Sequence, residues 1–292
     1  MPETIATPVI DDWVLAAVGE GRHSDPHSVL GQHGFTAPAD PRSFTVIRTR
    51  RPLAESVEAV FDDGDALPLD HLGYGVWGGA GAFGPVGYRV RASYGDGSEW
   101  TSDDPYRFAP TIGELDLHLI GEGRHEELWR VLGAHHREHW GVGGGVHGTA
   151  FTVWAPHARA ARVVGEFNRW DGTAHAMRSM GASGVWELFI PDLEPGSVYK
   201  FELLTAAGHW VMKADPMARQ AEVSPATASV VSVSSHEWGD GDWLARRAST
   251  NAHELPMSVY ELHLGSWRPG RGYRDVADEL IEYVDWLGYT HV

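Results

Sequence analysis

Three short runs of the chain have the composition of functional motifs. His135, His136 and His139 form a His-His-x-x-His pattern that could place metal ligands on one helical turn, but no carboxylate or cysteine completes a ligand set. The acidic run 62–65 lacks the spacing and the terminal glutamate of an EF-hand loop. The glycines at 143–145 are not followed by the Lys-Ser/Thr of a phosphate loop. The sequence therefore predicts capping or interface histidines and a hairpin turn, with no metal and no cofactor.

Tryptophan is the other residue type that could serve a binding function, since the 292 residues include 13 of them. Indole rings either pack the corners of β-sandwiches or offer flat apolar faces to ligands such as sugar rings. Composition by itself leaves both possibilities open.

Charge and composition exclude several classes of protein. A net charge of −17 argues against nucleic-acid binding and against a polybasic membrane-surface protein. The absence of cysteine excludes a disulfide scaffold and is compatible with the cytoplasm. The acidic N-terminus does not resemble a secretory signal, and no apolar run reaches the roughly 18 residues of a membrane helix. We therefore expect a cytoplasmic, monomeric protein that binds neither nucleic acid nor membrane.

The chain contains an internal repeat with an offset of about 110 residues. Four collinear matches define it: Gly75-Val76-Trp77 recurs as Gly184-Val185-Trp186, Tyr88 as Tyr199, Asp104-Pro105 as Asp215-Pro216, and Phe44-Thr45-Val46 as Phe151-Thr152-Val153. Residues 186–190 and 199–204 alternate with period two and are bounded by turn residues, which is typical of antiparallel strands with one buried face. Each copy is therefore predicted to be an immunoglobulin-like β-sandwich.

Two further segments have different patterns. Leu128, Val131 and Leu132 have helical spacing, which predicts a helix from Gly123 to His139, and residues 141–148 are glycine-rich. Near the end of the chain, Val259–Leu264 reads as a strand, 276–287 as an amphipathic helix, and 289–292 as the start of another strand. Strand, helix and strand in this order open an α/β unit.

The predicted organisation is mostly β: two immunoglobulin-like modules joined by a helical linker, followed by an α/β start. The predicted bounds are 1–110 for the first module, 111–147 for the linker, 148–236 for the second module, 237–255 for a connector and 256–292 for the α/β segment.

Several motifs resemble one family. Residues 148–156 (GTAFTVWAP) and 163–172 (VVGEFNRWDG) closely resemble the glycogen- and starch-binding module that precedes the catalytic barrel of glycogen branching enzymes. Residues 121–135 resemble the family's link between its two N-terminal modules, and residues 258–267 resemble its first barrel strand. The resemblance covers nearly the whole chain and is weakest over residues 1–110.

The resemblance implies the activity and its limits. Branching enzymes cut an α-1,4-glucan chain and transfer it to a 6-hydroxyl, a retaining reaction that uses two carboxylates of a (β/α)₈ barrel. A complete barrel needs about 250 residues, so the catalytic positions are expected beyond Val292 and this chain alone is expected to be inactive. Two alternatives stay open: a stand-alone glucan-binding module, and the N-terminus of a debranching or trehalose-releasing relative.

A second resemblance implies the binding residues. Phe167-Asn168-Arg169-Trp170 is similar to the corresponding stretch of the glycogen-binding module in the β subunit of AMP-activated protein kinase. Carried over residue by residue, this resemblance implies that Trp170, Lys200 and Trp210 bind glycogen or α-glucan chains. The alternative is that both tryptophans pack the module against a neighbouring domain. In the first copy of the repeat, Arg89 replaces the lysine and only Trp100 remains, which favours a structural role.

Overall fold

The structure is a computed structural model that describes residues 4–5, 8–37 and 40–292. The described chain is mostly β, with antiparallel sheets, as the sequence predicts. It divides into two compact units with the boundary after Val233. No helix in these residues is long and apolar enough to cross a membrane.

The first strand group consists of eight antiparallel strands, β1–β8. Helix α1 (Asp12–Gly19) precedes β2, and the sheet path runs β2-β3-β6-β5-β4-β7-β8, with β1 paired to β6. Apolar side chains from the middle strands, including Ile47, Leu67, Trp77 and Val90, meet in one buried core. The strands are β1 (Thr4–Ile5), β2 (Gly31–Ala37), β3 (Asp40–Arg50), β4 (Ala54–Phe61), β5 (Ala66–Gly73), β6 (Val76–Gly81), β7 (Tyr88–Tyr94) and β8 (Glu99–Asp103).

The second strand group consists of nine strands, β9–β17, in two antiparallel sheets. One sheet has the order β12-β13-β10-β9; the other has the order β11-β14-β17-β16, with β15 paired to β14. Aromatic side chains from both sheets, among them Phe151, Tyr199 and Phe201, fill the core between them. The strands are β9 (Gly133–Gly141), β10 (Gly144–Trp154), β11 (Ala160–Gly165), β12 (Arg178–Ser179), β13 (Val185–Pro191), β14 (Val198–Leu204), β15 (Trp210–Lys213), β16 (Gln220–Ala221) and β17 (Ser229–Val230).

The same hydrogen bonds recur at the spacing of the sequence repeat. Tyr88 donates its hydroxyl hydrogen to Asp104 Oδ2 at 2.8 Å, and Tyr199 donates to Asp215 Oδ2 at 2.5 Å. Each aspartate also accepts a backbone N–H two residues further along. Because all four side chains are buried, each Tyr–Asp pair satisfies polar groups that would otherwise be costly to desolvate.

The repeat begins earlier than the sequence matches indicate. His33 Nε2 lies 3.0 Å from the carbonyl oxygen of Leu30, and His135 Nε2 lies 2.9 Å from that of Leu132. The glycine after each leucine, Gly31 (φ 90°) or Gly133 (φ 103°), has a left-handed backbone. Residues 131–135 therefore open the second strand group and are not part of a linker.

The predicted helix from Gly123 to His139 is wrong, and the helical linker 111–147 is shorter than expected. The helix in this region is α2 (Glu114–Gly121), followed by a 3₁₀ turn at Leu128–Arg130. Apolar residues of the turn pack against α2 instead of continuing as a helix. From Gly133 to Gly141 the backbone pairs with β10. This pairing across a long hairpin overrides the weak local helix preference, so His135, His136 and His139 lie on a strand.

The second compact unit contains three helices: α3 (Gly241–Ala248), α4 (Leu264–Trp267) and α5 (Tyr273–Leu287). Helix α5 contains the predicted helix 276–287. The strand predicted over Val259–Leu264 is present only as a single parallel bridge between Val259 and His291. A parallel strand needs neighbours on both sides and cover on both faces, and the described residues provide one partner.

Candidate functional site

The three residues implied to bind glucan lie on or beside one sheet, β11-β14-β15. Tyr199 and Phe201 of β14 point into the core, and Lys200 between them points to the opposite, outward face, as the alternation predicts. The Lys200 ammonium donates a hydrogen bond to Thr227 Oγ1 at 2.7 Å. Trp210 faces the same side because it pairs with Leu204, four residues from Lys200.

Trp170 stands at the Lys200 end of this face. It follows the 3₁₀ turn Glu166–Asn168 after β11, and its amide donates to the carbonyl oxygen of Gly165 at 2.8 Å. Gly165 in turn pairs with Tyr199, the neighbour of Lys200. The indole is 36% exposed, so part of it is available to a ligand.

Trp210 is less available than the sequence implies. The guanidinium carbon of Arg162 lies 3.6 Å from the centroid of the Trp210 ring, which is a close cation–π stack. One face of this indole is therefore covered by the protein itself. This stack supports the alternative that Trp210 has a packing role and does not bind glucan.

Arg162 also divides the outward face into two ends. Its Nε donates to the carbonyl oxygen of Gly21 at 3.0 Å, and its Nη1 bonds Glu202 Oε2 at 3.0 Å. A further bond reaches the carbonyl of Glu20, so the end of α1 lies over the middle of the sheet. Along β14, four residues separate the Lys200 position from the Leu204–Trp210 pair, which is about 13 Å. Lys200 and Trp210 therefore lie towards opposite ends of this face, and Trp170 is bonded through Gly165 to the Lys200 end.

In the first strand group, the residues at the equivalent positions have different environments. Trp100 on β8 is 69% exposed. Arg89 lies with its Nε 3.6 Å from Asp103 Oδ2. The tryptophan is free to contact a ligand, whereas the arginine is next to a carboxylate, so the arrangement of the second strand group is not reproduced.

The sequence reasoning missed a cavity of about 450 Å³ between the two strand groups. Its lining includes Arg50 and Arg51 from the first group, and Asn168, Arg169 and His175 from the second. These residues are far apart in sequence, so no motif spacing could have brought them together. Asn168 and Arg169 immediately precede Trp170 in the chain, and His175 follows it.

Four histidines have a pKa below the ordinary value of 6.5, and burial is the largest cause in each case: His27, His33, His135 and His175. For His175 the pKa falls to about 4, and the positive charges of Arg51 and Arg50 add to the effect of burial. A histidine with a lowered folded-state pKa binds fewer protons in the folded state than in the unfolded state. Its contribution to stability is therefore full above about pH 6.5 and is lost as the pH falls towards the folded-state pKa.

We expect the free energy of unfolding to fall between pH 7 and pH 5, and to fall less in the His175→Gln variant. Urea denaturation at the two pH values measures this difference. An equal loss in wild type and variant would show that His175 does not contribute to it.

Comparisons with known proteins agree with this architecture. Residues 11–106 match the family described as "alpha-1,4-glucan branching enzyme GlgB, N-terminal domain", and residues 131–218 match "Carbohydrate-binding module 48 (Isoamylase N-terminal domain)". Among solved structures, a pullulanase type I from Bacillus subtilis superposes with a TM-score of 0.33 at 17% identity, over 76% of this chain and 29% of that chain. That likeness is too slight to support an argument.

Curated relatives match over the whole chain. The 1,4-alpha-glucan branching enzyme GlgB of Leifsonia xyli is 60% identical over 100% of this chain and 39% of its own length. The enzymes of the same name from Thermobifida fusca and Rhodococcus jostii are 53% and 48% identical, over 95% and 100% of this chain and 36% and 38% of their own lengths. The chain thus spans about two fifths of the length of the relatives that it matches. Over its whole length the chain is similar to the N-terminal region of 1,4-alpha-glucan branching enzymes GlgB.

Proposed function

We propose that this chain is the glucan-contacting N-terminal part of a 1,4-α-glucan branching enzyme. In this proposal the two strand groups are immunoglobulin-like modules, and the segment 256–292 is the first βα unit of a (β/α)₈ barrel. The carboxylates that cut and transfer the glucan lie outside these residues. The observation that supports this proposal most strongly is the 60% identity, over the whole of this chain, to the N-terminal part of a GlgB relative.

The glucan contact is proposed at Trp170 and Lys200. An exposed indole offers a flat apolar face to the C–H face of a glucose ring, and an ammonium group donates hydrogen bonds to sugar hydroxyls. The backbone of Trp170 is bonded to Gly165, which pairs with the neighbour of Lys200, and within the described residues the Lys200 ammonium is bonded to the neutral Thr227 hydroxyl. Trp210, which is stacked on Arg162, contributes to packing and leaves at most its other face for a ligand.

We further propose that the protein acts as a monomer in the cytoplasm. A monomeric protein in the cytoplasm, where glycogen is made, fits the acidic and cysteine-free composition. The partners are glycogen or α-glucan chains.

We expect Trp170→Ala to weaken glycogen binding about tenfold, because the main stacking surface is lost. Lys200→Ala should weaken it less, because an exposed hydrogen bond contributes less than the indole face. Affinity electrophoresis in gels with and without glycogen measures the dissociation constant from the retardation of each variant.

Trp140→Ala provides the matched control. Trp140 is 69% exposed on β9, in the other sheet of the same strand group. The Trp140→Ala variant should migrate as the wild-type protein does at every glycogen concentration. Equal retardation of wild type and Trp170→Ala would refute the proposed contact and favour the packing role for this indole.

A further inference from the structure

The cavity between the two strand groups has the size of a small-molecule site. Its volume of about 450 Å³ lies within the range of about 300–1,000 Å³ that is common for ligand pockets. Both strand groups contribute to its walls: Arg50, Arg51 and Ser102 from the first, Asn168 and Arg169 from the second. A ligand here would contact both groups at once.

The cavity carries positive charge that the protein does not neutralise by ion pairs. Within the described residues, none of Arg50, Arg51 and Arg169 has a carboxylate oxygen within 4.0 Å. Arg50 is buried, and its Nη1 has no hydrogen-bond partner among these residues. A buried guanidinium with an unused donor is costly unless a ligand or solvent meets it.

Arg51 is held in place by neutral acceptors, so that its full charge remains. Its Nη1 donates to the carbonyl oxygen of Arg50 at 2.9 Å, and its Nη2 donates to Ser102 Oγ at 3.1 Å. The lowered pKa of His175, to about 4, has burial as its largest cause and is lowered further by the charges of Arg51 and Arg50. The charges of Arg51 and Arg50 therefore act on a side chain that lines the same cavity.

Two carboxylates, Asp103 and Asp171, also line the cavity. Asp103 lies 2.5 Å from Arg107 Nη2 and 3.6 Å from Arg89 Nε. Asp171 accepts the backbone N–H of Thr173 at 2.9 Å. Asp96, whose charge is near Arg169, is hydrogen-bonded by the amide and hydroxyl of Ser98. Three arginines therefore face two lining carboxylates, of which Asp103 is paired with Arg107 and Arg89, whereas Asp171 is bonded only by a neutral donor and keeps its charge.

The loop that carries Arg169 is strained and yet well anchored. Arg169 and Trp170 have φ angles of 54° and 62°, a left-handed conformation that is unfavourable for residues other than glycine. Asn168 holds the loop, because its Oδ1 accepts the amide of Gly165 and its Nδ2 donates to the carbonyl of Val163 and lies 3.0 Å from His175 Nδ1. Backbone strain of this kind is concentrated at ligand sites, where it places a side chain in a defined position.

We propose that this cavity binds the phosphate group of a small phosphorylated sugar. Three guanidinium groups supply charge-assisted donors to a dianionic phosphate. Ser102 Oγ accepts a hydrogen bond from Arg51 and keeps its own hydrogen to donate to a sugar hydroxyl. The site is distinct from the proposed glucan contact and does not depend on it.

Isothermal titration calorimetry of the 292-residue protein at low salt tests the site with three probes: glucose 6-phosphate, inorganic phosphate and glucose. We expect saturable binding of glucose 6-phosphate, at least fivefold weaker binding of inorganic phosphate, and no binding of glucose. Equal affinities for the two phosphates would overturn the assignment of a sugar. No saturable binding of either phosphate would overturn the site itself.

Arg169→Gln should raise the dissociation constant for glucose 6-phosphate at least tenfold, because a charged donor to the phosphate is lost. The side chain is exposed, so the substitution leaves the core undisturbed. Arg137→Gln on β9, which is also exposed and lies outside the cavity lining, should leave it within twofold of wild type. Thermal melts without ligand show that both variants fold. If Arg169→Gln binds as wild type does, or if both variants lose affinity equally, the phosphate does not bind in this cavity.

Discussion

Replacing Glu187 by alanine is expected to lower the free energy of unfolding by about 3–5 kcal/mol, the range typical of a buried ion pair that loses one partner. Glu187 is fully buried on β13, and its Oε2 lies 2.7 Å from Nε of the buried Arg178. Its other oxygen accepts the amide and the hydroxyl hydrogen of Thr111, at 3.2 Å and 2.8 Å. The substitution leaves a buried guanidinium and a backbone amide without an acceptor. Urea denaturation at pH 7 measures the loss.

An exposed pair of the same type provides the control. Glu58 and Arg91, on neighbouring strands β4 and β7, form an ion pair whose side chains are about one third exposed. Glu58→Ala should leave the denaturation midpoint nearly unchanged, because exposed ion pairs contribute little to stability. In the double variant Glu187→Leu/Arg178→Met, much of the stability should return, since no charge remains buried. If Glu187→Ala denatures at the wild-type midpoint, the buried network is not a structural anchor of β13.

Gly31→Ala is expected to destabilise the protein by about 3 kcal/mol or more, through a left-handed backbone and a steric clash together. Gly31 has a φ of 90°, and an added Cβ would overlap the carbonyl oxygen of Tyr106. The oxygen cannot move away easily, because it belongs to the backbone of the buried Tyr106 in the turn Pro105–Arg107. Chemical denaturation followed by tryptophan fluorescence measures the effect.

The variant Gly64→Ala separates the backbone strain from the steric clash. Gly64 has nearly the same φ, 91°, but a Cβ would meet no atom within 4 Å. Gly64→Ala should therefore cost only the conformational strain, about 1 kcal/mol. Similar losses for the two variants would mean that the close approach at Tyr106 is relieved by a small backbone shift.

The local patterns of the sequence predicted much of the β structure. Alternation over 186–190 and 199–204 predicted strands that the structure has as β13 and β14, with Lys200 on the outward face. The amphipathic pattern at 276–287 predicted α5. In both strand segments a period of two dominates, so local preference and tertiary packing agree on a strand, although β13 is buried on both faces and not on one.

The predictions failed where a short segment could follow two patterns. The apolar residues 128–132 have helical spacing, but they pack in a compact turn against α2, and the backbone that follows joins β9. Helix α1 was missed because the eight residues Asp12–Gly19 carry little polar contrast between their faces. Its position depends on buried arginines: Arg50 donates to the carbonyl of Gly19, and Arg162 donates to that of Gly21.

The sequence by itself determined the similarity to branching enzymes, the β-rich architecture, the repeat and the residues that resemble a glucan site, because these depend on short motifs and on periodicity. Tertiary structure alone decided which of those residues are available. Arg162 is eight residues before Trp170 in the chain, yet its guanidinium covers the ring of Trp210 from across β14. The cavity of Arg50, Arg51 and Arg169 likewise exists only because the two strand groups pack together, and contacts between residues more than a hundred positions apart leave no local pattern.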